Sequence, residues 1–248
     1  MTTIALYNIK GGVGKTAGCV NLAYLASEEG KQVLLWDLDP QGSASFYFKI
    51  DPHLKGGAKK LLGGDAATFE ANIQPTEYDN LSLLPADFSN RHLDVIIEET
   101  KQAKKKLKSL LASLQGSYDY LFIDCPPGIG PLSEAIFAAA DFVVLPTIPT
   151  TLSIRTYEMV HQFFESNKLD ENRIIPYFSM VDIRKNLHNE TLGKYYKNKQ
   201  FLKNYIPYLS TVEKMGNHLA PVAHFAASSY AAQCYRDVWK ELKKKIGA

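Results

Sequence analysis

Two hydrophobic periodicities alternate along the chain. Short apolar runs, typical of buried strands, lie at residues 2–9, 32–39, 81–86, 119–124, 140–146 and 173–181, with a further short candidate at 204–209. Stretches with the helical period lie at residues 15–30, 89–115, 152–168 and 228–246. Residues 51–80 are weakly patterned and rich in Gly, Asp and Asn, which predicts surface loops with a short helix.

This alternation predicts an α/β fold. Strands separated by helices build βαβ units, so we expect a doubly wound, mostly parallel sheet with helices on both faces. The sequence has no internal repeat and no long linker, which favours a single domain over residues 1–248. Ligands of such sheets bind beyond the carboxyl ends of the strands.

Composition excludes several classes of protein. The 248 residues are 46% hydrophobic and 22% charged with a formal net charge of +2, which argues against a disordered, collagen-like or disulfide-stapled chain. Cys19, Cys125 and Cys234 have no regular spacing, so we expect reduced thiols and a cytoplasmic protein. The longest apolar run, 135–146, is too short for a membrane span.

The clearest chemical motif is the segment KGGVGKT at residues 10–16, which follows the first predicted strand and opens the first predicted helix. Glycines leave backbone N–H groups free to surround phosphate oxygens, and the positive end of the helix dipole adds to the attraction. Lys15 is placed to reach the β- and γ-phosphates, and the Thr16 hydroxyl to ligate Mg²⁺. These residues predict a nucleotide site.

The loop departs from the ordinary G-x-x-x-x-G-K-T pattern, because Ile9 stands where a glycine is expected and Lys10 adds a second lysine. Lys10 could point outward, toward a second nucleotide.

Acidic residues end two nearby strands. Asp124 is placed to hold Mg²⁺, and Asp37 and Asp39 face the same side of a strand, where they can serve the metal and the attacking water.

Three segments together resemble the ParA/MinD family of deviant Walker A ATPases. They are KGGVGKT (10–16), LLWDLDPQGSAS (34–45) and YLFIDCPPGIG (120–130), and the tail 220–238 also fits. The likeness is greatest to the short, Soj-like ParA proteins, which have no DNA-reading domain before the phosphate loop. It implies a P-loop fold, ATP and Mg²⁺ as cofactors, and a homodimer in which Lys10 contacts the partner's nucleotide.

The resemblance also implies roles for individual residues. The expected catalytic residues are Lys10, Lys15 and Asp39, and the expected metal residues are Thr16, Asp37 and Asp124. The expected nucleotide-binding residues are Lys10, Gly11, Gly12, Val13, Gly14, Lys15, Thr16, Ala17, Asp182 and Pro207. The family usually has a threonine where this chain has Ala17, so we expect somewhat weaker nucleotide affinity. No glutamate is placed as a strong base, so we expect slow, partner-stimulated hydrolysis.

A basic segment at residues 183–204 suggests nonspecific DNA binding in the ATP state, as in ParA proteins. Its candidate DNA contacts, with one from the tail, are Arg184, Lys185, Lys194, Lys197, Lys199, Lys203 and Arg236. Tyr195, Tyr196 and Phe201 are interleaved with these cations, a composition that suits phosphate contacts without base reading. A solvated helix face, with lysine stems covering apolar surface, is the alternative.

Two other functions stay open. A MinD-like protein would bind membrane through its last helix, whose stripe of Val238, Trp239, Leu242 and Ile246 is suited to either a bilayer or the core, and we favour the core. A metabolic enzyme of the cobyrinate synthase class usually carries an added glutaminase domain, for which no residues remain. We therefore expect a ParA-type ATPase that positions DNA or protein cargo near the nucleoid, with a ParB-like activating partner and no membrane contact.

Overall fold

The computed structural model describes residues 1–247. Its strands are β1 (Thr2–Leu6), β2 (Val33–Asp37), β3 (Gln74–Pro75), β4 (Leu81–Leu84), β5 (Tyr120–Asp124), β6 (Phe142–Thr147) and β7 (Ile174–Phe178). They form one sheet in the order β3-β4-β2-β5-β1-β6-β7, in which only the edge pair β3–β4 is antiparallel. The predicted α/β class with a mostly parallel sheet is confirmed.

Helices connect the strands and cover the sheet. They are α1 (Lys15–Glu28), α2 (Ser43–Tyr47), α3 (Gly57–Gly63), α4 (Ala66–Glu70), α5 (Leu93–Glu99), α6 (Ala103–Ser113), α7 (Pro131–Ala139), α8 (Thr151–Ser166), α9 (Asn186–Tyr195), α10 (Ser210–Glu213), α11 (Met215–His218), α12 (Val222–Phe225) and α13 (Tyr230–Ile246). Two 3₁₀ turns lie at Phe88–His92 and Glu171–Arg173.

Side-chain alternation along the central strands divides the core into two layers. In β5, Leu121 and Ile123 belong to the core layer between the sheet and helices α5 to α8. Tyr120 and Phe122 belong to the layer between the sheet and helices α1 and α13. Successive side chains of a strand point to opposite faces, so a strand that is apolar at every position needs helices on both sides. The continuous apolar runs of the sequence therefore correspond to doubly covered strands.

The predicted long helix over 89–115 is wrong. The structure has a 3₁₀ turn, α5 and α6 there, because the chain adopts a left-handed conformation at Gln102, with φ of 58°, and the Thr100 hydroxyl bonds the Ile96 carbonyl at the end of α5. Thr100 ends α5 in an extended conformation, with ψ of 113°, and the left-handed Gln102 precedes α6, so neither residue continues the helical hydrogen-bond ladder. The apolar period continues across this break, which is why the pattern suggested one helix.

Other local expectations also need correction. Residues 204–209 form no strand; a lone bridge joins Val181 to Pro207, and proline has no N–H to continue a ladder. Helix α7 was absent from the predicted elements, although Pro131 at its first turn and the Ser133 hydroxyl, which bonds the Gly130 backbone, mark its start. Residues 51–80 hold two short helices and the edge strand β3.

Candidate functional site

The phosphate loop joins β1 to α1 at the carboxyl edge of the central strands. Gly12 and Gly14 have φ values of 70° and 87°, a region that favours glycine. Gly14 precedes α1 without a side-chain cap, so the first backbone N–H groups of the helix stay available to an anion. Below the loop, the buried Ser179 hydroxyl after β7 donates to the Val13 carbonyl at 2.7 Å and holds the loop on the sheet.

Both lysines of the loop have defined positions. Lys15 is buried, and its ammonium donates to the Lys10 carbonyl at 3.1 Å across the loop. Burial lowers the pKa of Lys15, and the nearby Asp124 carboxylate opposes that shift. The Lys10 backbone N–H donates to Asn8 Oδ1 at 2.9 Å, whereas its half-buried side chain makes no ion pair within residues 1–247. The loop thus presents one enclosed cation and one at its rim.

Asp124 and Asp37 are adjacent across the sheet, at the ends of β5 and β2, where their Cα atoms are register partners. Asp124 is completely buried, and neither of its carboxylate oxygens has a hydrogen-bond partner among the described residues. Burial raises the pKa of Asp124, and repulsion from Asp37 adds to the rise. Thr16 and the Lys15 ammonium oppose this rise without cancelling it, and a buried carboxylate is costly unless a cation compensates it fully.

Asp37 is held differently. Its Oδ2 accepts the backbone N–H and the hydroxyl of Ser45, each at 2.8 Å, and its Oδ1 accepts the Asp39 N–H at 3.2 Å. Burial raises the pKa of Asp37 to about 6, against the lowering effect of the Ser45 hydrogen bonds. Ser45 was not among the predicted site residues, although its place six residues after Asp39 in the GSAS segment was a usable signal.

These residues fit a magnesium ion. Mg²⁺ prefers carboxylate and hydroxyl oxygens, keeps several waters and takes the rest of its ligands from phosphates. No group of three or more His, Cys, Asp or Glu residues able to hold a metal is found in the part of the chain that the structure describes. Asp124, with Thr16 at the first turn of α1, therefore supplies only some of the ligands that a magnesium ion needs. This is expected where the phosphates of a nucleotide and water supply the other ligands.

Asp39 lies half-buried just beyond β2, and its Oδ1 accepts the Gln41 N–H at 3.0 Å. The chain then turns through Gly42, whose φ is 64°, into α2.

The segment after Asp124 contacts the residues between β1 and the phosphate loop. The Gly128 N–H donates to the Ile9 carbonyl at 3.0 Å, and the Tyr7 hydroxyl donates to the Gly128 carbonyl at 2.6 Å. The segment after Asp124 is thereby tied to the phosphate loop.

A cavity of about 220 Å³ opens beside the phosphate loop. Gly12, Gly14, Ala17, Met180 and Pro207 line it, so the predicted Pro207 does lie next to the loop. Asp182 is not in its lining: its carboxylate pairs with the Arg184 guanidinium at 2.8 Å, which lowers the pKa of Asp182 to about 2. The structure brings Pro207 to the site and leaves Asp182 beside it.

Four tyrosines outside the predicted set of site residues also line this cavity: Tyr47, Tyr177, Tyr208 and Tyr235. They come from α2, β7, the segment before α10 and α13, so no local pattern could join them. A Cβ on Gly18 would lie 2.5 Å from the Tyr177 hydroxyl, which explains why a glycine is required in α1 at that point. The cavity has the flat, apolar walls that suit an aromatic base.

The predicted DNA contacts lie in and around α9, after the edge strand β7. Arg184, Lys185, Lys194, Lys197, Lys199 and Lys203 are candidates from this segment, and the Lys197, Lys199 and Lys203 side chains lie beyond the end of the helix. The segment is fastened to α13 by Glu241, whose carboxylate accepts the backbone N–H groups of Lys203 and Asn204 at 2.7 and 2.9 Å. Arg236 on α13 is half-buried and donates to the Ala227 carbonyl at 2.8 Å. Arg184 is engaged by Asp182 and Lys203 by the carbonyls of Tyr196 and Asn198, so Lys185, Lys194, Lys197 and Lys199 are the freer cations.

The apolar stripe of α13 belongs to the core. Val238, Trp239 and Leu242 are buried against the sheet, and the Lys243 ammonium pairs with Glu29 at the end of α1. Of the helices in residues 1–247, none combines the length and the apolar character needed to cross a bilayer.

Comparison with known proteins gives consistent matches. A family model described as an AAA domain matches residues 1–176. The sporulation initiation inhibitor protein Soj of Bacillus subtilis is 30% identical, covering 96% of this chain and 97% of that protein. The chromosome-partitioning ATPase Soj of Treponema pallidum is 28% identical, covering 99% of this chain and 98% of that protein.

Solved structures share the fold. A structure named for plasmid partition from Borrelia burgdorferi B31, bound to AMPPNP, matches with a TM-score of 0.86 and 21% identity over 98% of this chain and 99% of that one. Cobyrinic acid a,c-diamide synthase of Mycobacterium smegmatis, with an ATP analogue and magnesium, matches with a TM-score of 0.79 and 25% identity over 100% of this chain and 97% of that one. Chain length therefore does not argue against the synthase class. The family match and the near full-length likeness to Soj are decisive: the chain belongs to the ParA/Soj family of ATPases.

Proposed function

We propose that this chain is one ATPase domain over residues 1–248 and works as a nucleotide-controlled dimer. ATP holds two copies together, the dimer binds double-stranded DNA without base specificity, and hydrolysis releases it. The observation that carries the proposal is the pairing of an enclosed Lys15 with Lys10 at the rim of the same loop. One lysine serves the nucleotide bound in its own subunit, and the other is free to reach a nucleotide in a second copy.

The remaining residues have complementary roles in this proposal. Loop N–H groups from Gly11 to Ala17 surround the phosphates, and Pro207 contacts the base. Bound magnesium supplies charge neutralisation on the β- and γ-phosphates. Asp124 and Thr16 hold that ion, Asp37 orients its water shell through Ser45, and Asp39 positions the attacking water. Asp182 is a candidate contact for the nucleotide base only if its ion pair with Arg184 breaks.

Hydrolysis in this scheme is slow by itself. Asp39, the acid assigned to the attacking water, is a half-buried carboxylate whose Oδ1 already accepts the Gln41 N–H, and the motif supplies no glutamate as a base. A ParB-like partner is proposed to accelerate the reaction. Several lysines on one surface favour phosphate contact, and two such surfaces joined by ATP bind a long polyanion far better than one. We accordingly place the protein in the cytoplasm, associated with the nucleoid.

The synthase class is the second candidate, because the Mycobacterium smegmatis structure spans the same length with an ATP analogue and magnesium. A synthase would consume ATP in step with an acceptor acid and would need no DNA. A MinD-like role is less well supported, because the stripe on α13 is occupied by the core.

Co-sedimentation with nonspecific duplex DNA separates these functions. We expect binding with Mg·ATP, little with ADP or without nucleotide, and a steep decrease with salt. Anionic liposomes sediment the protein only if the MinD-like role is right. Lys15→Ala should abolish ATP binding and DNA binding together, whereas Lys31→Ala, an exposed control, should retain both. Micromolar ATP affinity in Lys15→Ala contradicts the phosphate-loop assignment, and nucleotide-independent DNA binding contradicts the switch.

A further inference from the structure

A second cavity lies at the β7 edge of the sheet, away from the phosphate loop. It measures about 220 Å³, and most of its wall is aromatic: Phe178, Tyr195, Tyr196, Phe201 and Tyr205. The Phe178 and Phe201 rings stack with centroids 4.7 Å apart, and Tyr195 lies 4.9 Å from Phe201. Rings packed on one another in this way form a preformed wall that needs no reordering before a flat ligand enters.

Tyr196 at the mouth of this cavity is 69% exposed. The Lys203 ammonium lies 5.2 Å from its ring centroid and also donates to the carbonyls of Tyr196 and Asn198. The cation covers one face of the ring and fastens the loop that carries it. A large exposed aromatic side chain fixed in this way is available to a stacking partner on its other face.

The charge around the cavity selects an anionic partner. Lys194, Lys197, Lys199 and Lys203 lie within ten residues of chain, and Lys197, Lys199 and Lys203 follow the end of α9. Glu241 on α13 anchors the backbone of Lys203 and Asn204 at the end of this stretch. Lys203 lines the cavity, and Lys194, Lys197 and Lys199 are exposed on the same short stretch of chain. Proteins that bind unpaired nucleotides combine lysines for the phosphates with aromatic rings for the bases.

We propose that this site, the Tyr196 cavity, binds an unpaired base of a single-stranded polynucleotide. The base stacks on Tyr196 and enters the aromatic cavity, Lys203 keeps the ring in place, and Lys194, Lys197 and Lys199 contact the neighbouring phosphates. A base inside a duplex cannot present its ring face to the protein, so this binding is distinct from the duplex binding proposed above. All the residues belong to one subunit, so binding requires neither ATP nor a dimer.

Fluorescence anisotropy of a labelled oligothymidylate tests the proposal with the full chain in the absence of nucleotide. Tyr196→Ala should weaken binding by about fivefold to a hundredfold, the range for loss of one base–aromatic stack. Tyr196→Phe keeps the ring and should bind within about twofold of the unaltered protein. Phe88→Ala is the matched control, because Phe88 is 67% exposed under the Arg91 guanidinium and follows β4, near the opposite edge of the sheet.

An abasic strand of equal length separates stacking from charge. We expect it to bind weakly and to be insensitive to Tyr196→Ala, since it has phosphates but no bases. Equal affinity for both strands, or unchanged oligothymidylate binding in Tyr196→Ala, overturns the proposal. So does concentration-dependent self-association that Tyr196→Ala abolishes, because a second copy would then occupy the cavity.

Two further binding measurements identify the kind of nucleic acid that the Tyr196 cavity accepts. Oligouridylate in place of oligothymidylate shows whether the 2′-hydroxyl matters, and binding of either strand supports the site. ATP-dependent duplex binding is measured in parallel. If duplex binding is absent while oligothymidylate binding depends on Tyr196, the ATP-controlled duplex binding is contradicted and the Tyr196 cavity is supported. If duplex binding depends on ATP while oligothymidylate binding does not depend on Tyr196, the Tyr196 cavity is contradicted and the ATP-controlled duplex binding is supported.

Discussion

At the residue scale, the nucleotide site is distinguished by carboxylates placed where water cannot reach them. Asp124 is buried without hydrogen-bond donors among the described residues, while Asp37 beside it has Ser45. Burial raises the pKa of both acids, and repulsion from Asp37 adds to the rise for Asp124, so the nucleotide-free site favours protonation. The sequence could predict both acids from the motifs, but it could not predict that their environments differ, because Ser45 reaches Asp37 only through the turn at Gly42.

Asp124→Asn tests whether this carboxylate is built for a cation. Without nucleotide, the neutral amide should raise the free energy of unfolding at pH 8 by about 1–3 kcal/mol, since it removes a buried charge whose burial and repulsion from Asp37 outweigh the attraction of Lys15. The extra stability that Mg·ATP gives the unaltered protein should be lost. Thermal unfolding with and without Mg·ATP measures both, and Asp51→Asn at an exposed position is the control. A less stable nucleotide-free protein with an intact Mg·ATP effect contradicts the assignment.

The pH dependence of stability follows from the same acids. The pKa of Asp37 is about 6 in the folded protein, above the ordinary value of 3.8 that the unfolded chain is expected to show. A raised acid pKa stabilises the fold at low pH, and this contribution is lost as the pH rises from about 4 through 6. Asp37→Asn should flatten that part of the unfolding curve of the nucleotide-free protein. An unchanged curve shows that Asp37 is ionised throughout.

Ser45 is expected to position Asp37. Its hydroxyl also accepts the Ala86 N–H at 3.0 Å, so it is fixed between two strand ends. Ser45→Ala removes a hydrogen bond that lowers the pKa of Asp37, so the acid limb of the ATPase pH profile should move up by about one pH unit. Ser43→Ala, in the same helix, is the control. A uniform loss of activity without a shift of the profile indicates a merely structural role.

At the element scale, the short helix α2 connects chemistry to binding. It begins four residues after Asp39, holds Asp37 through Ser45 and places Tyr47 in the cavity beside the phosphate loop. Long elements such as α1 and β5 were predictable from periodicity. Short ones such as α2, α7 and α9 were not, because tertiary contacts rather than a repeated apolar pattern stabilise them.

The break between α5 and α6 gives a direct stability test. Gln102 has a φ of 58°, which costs a residue with a Cβ about 1 kcal/mol or more relative to glycine. Gln102→Gly should therefore raise the free energy of unfolding by about 0.5–1 kcal/mol. Ala112→Gly, at an exposed position inside α6, should lower it by about 1 kcal/mol. Urea unfolding measures both, and a loss of stability in Gln102→Gly contradicts the left-handed conformation.

At the scale of the whole molecule, the carboxyl ends of β1, β2 and β5 bring the three motifs to one edge. Residues 10–16, 37–39 and 124–130 are far apart in sequence, yet their strands are neighbours in the sheet. The parallel arrangement could be predicted, and with it this convergence. The two aromatic cavities could not be predicted from the sequence, because the residues that line them come from strands, loops and helices that are distant along the chain.

Lys10 should matter for assembly and not for binding within one subunit. Its side chain makes no ion pair within residues 1–247, whereas Lys15 is enclosed by the loop. Lys10→Ala should keep ATP affinity within about threefold and lose most ATP-dependent dimer. Isothermal titration and sedimentation velocity separate the two effects. Loss of nucleotide affinity in Lys10→Ala would place this lysine on the nucleotide of its own subunit.

The most direct test of the nucleotide-controlled dimer is the molar mass of Asp39→Ala in solution by light scattering. This variant lacks the carboxylate proposed to position the attacking water, so ATP should persist. We predict twice the monomer mass with Mg·ATP and the monomer mass with ADP or without nucleotide. A monomer mass in all three conditions, with ATP binding retained, would contradict the proposed dimer.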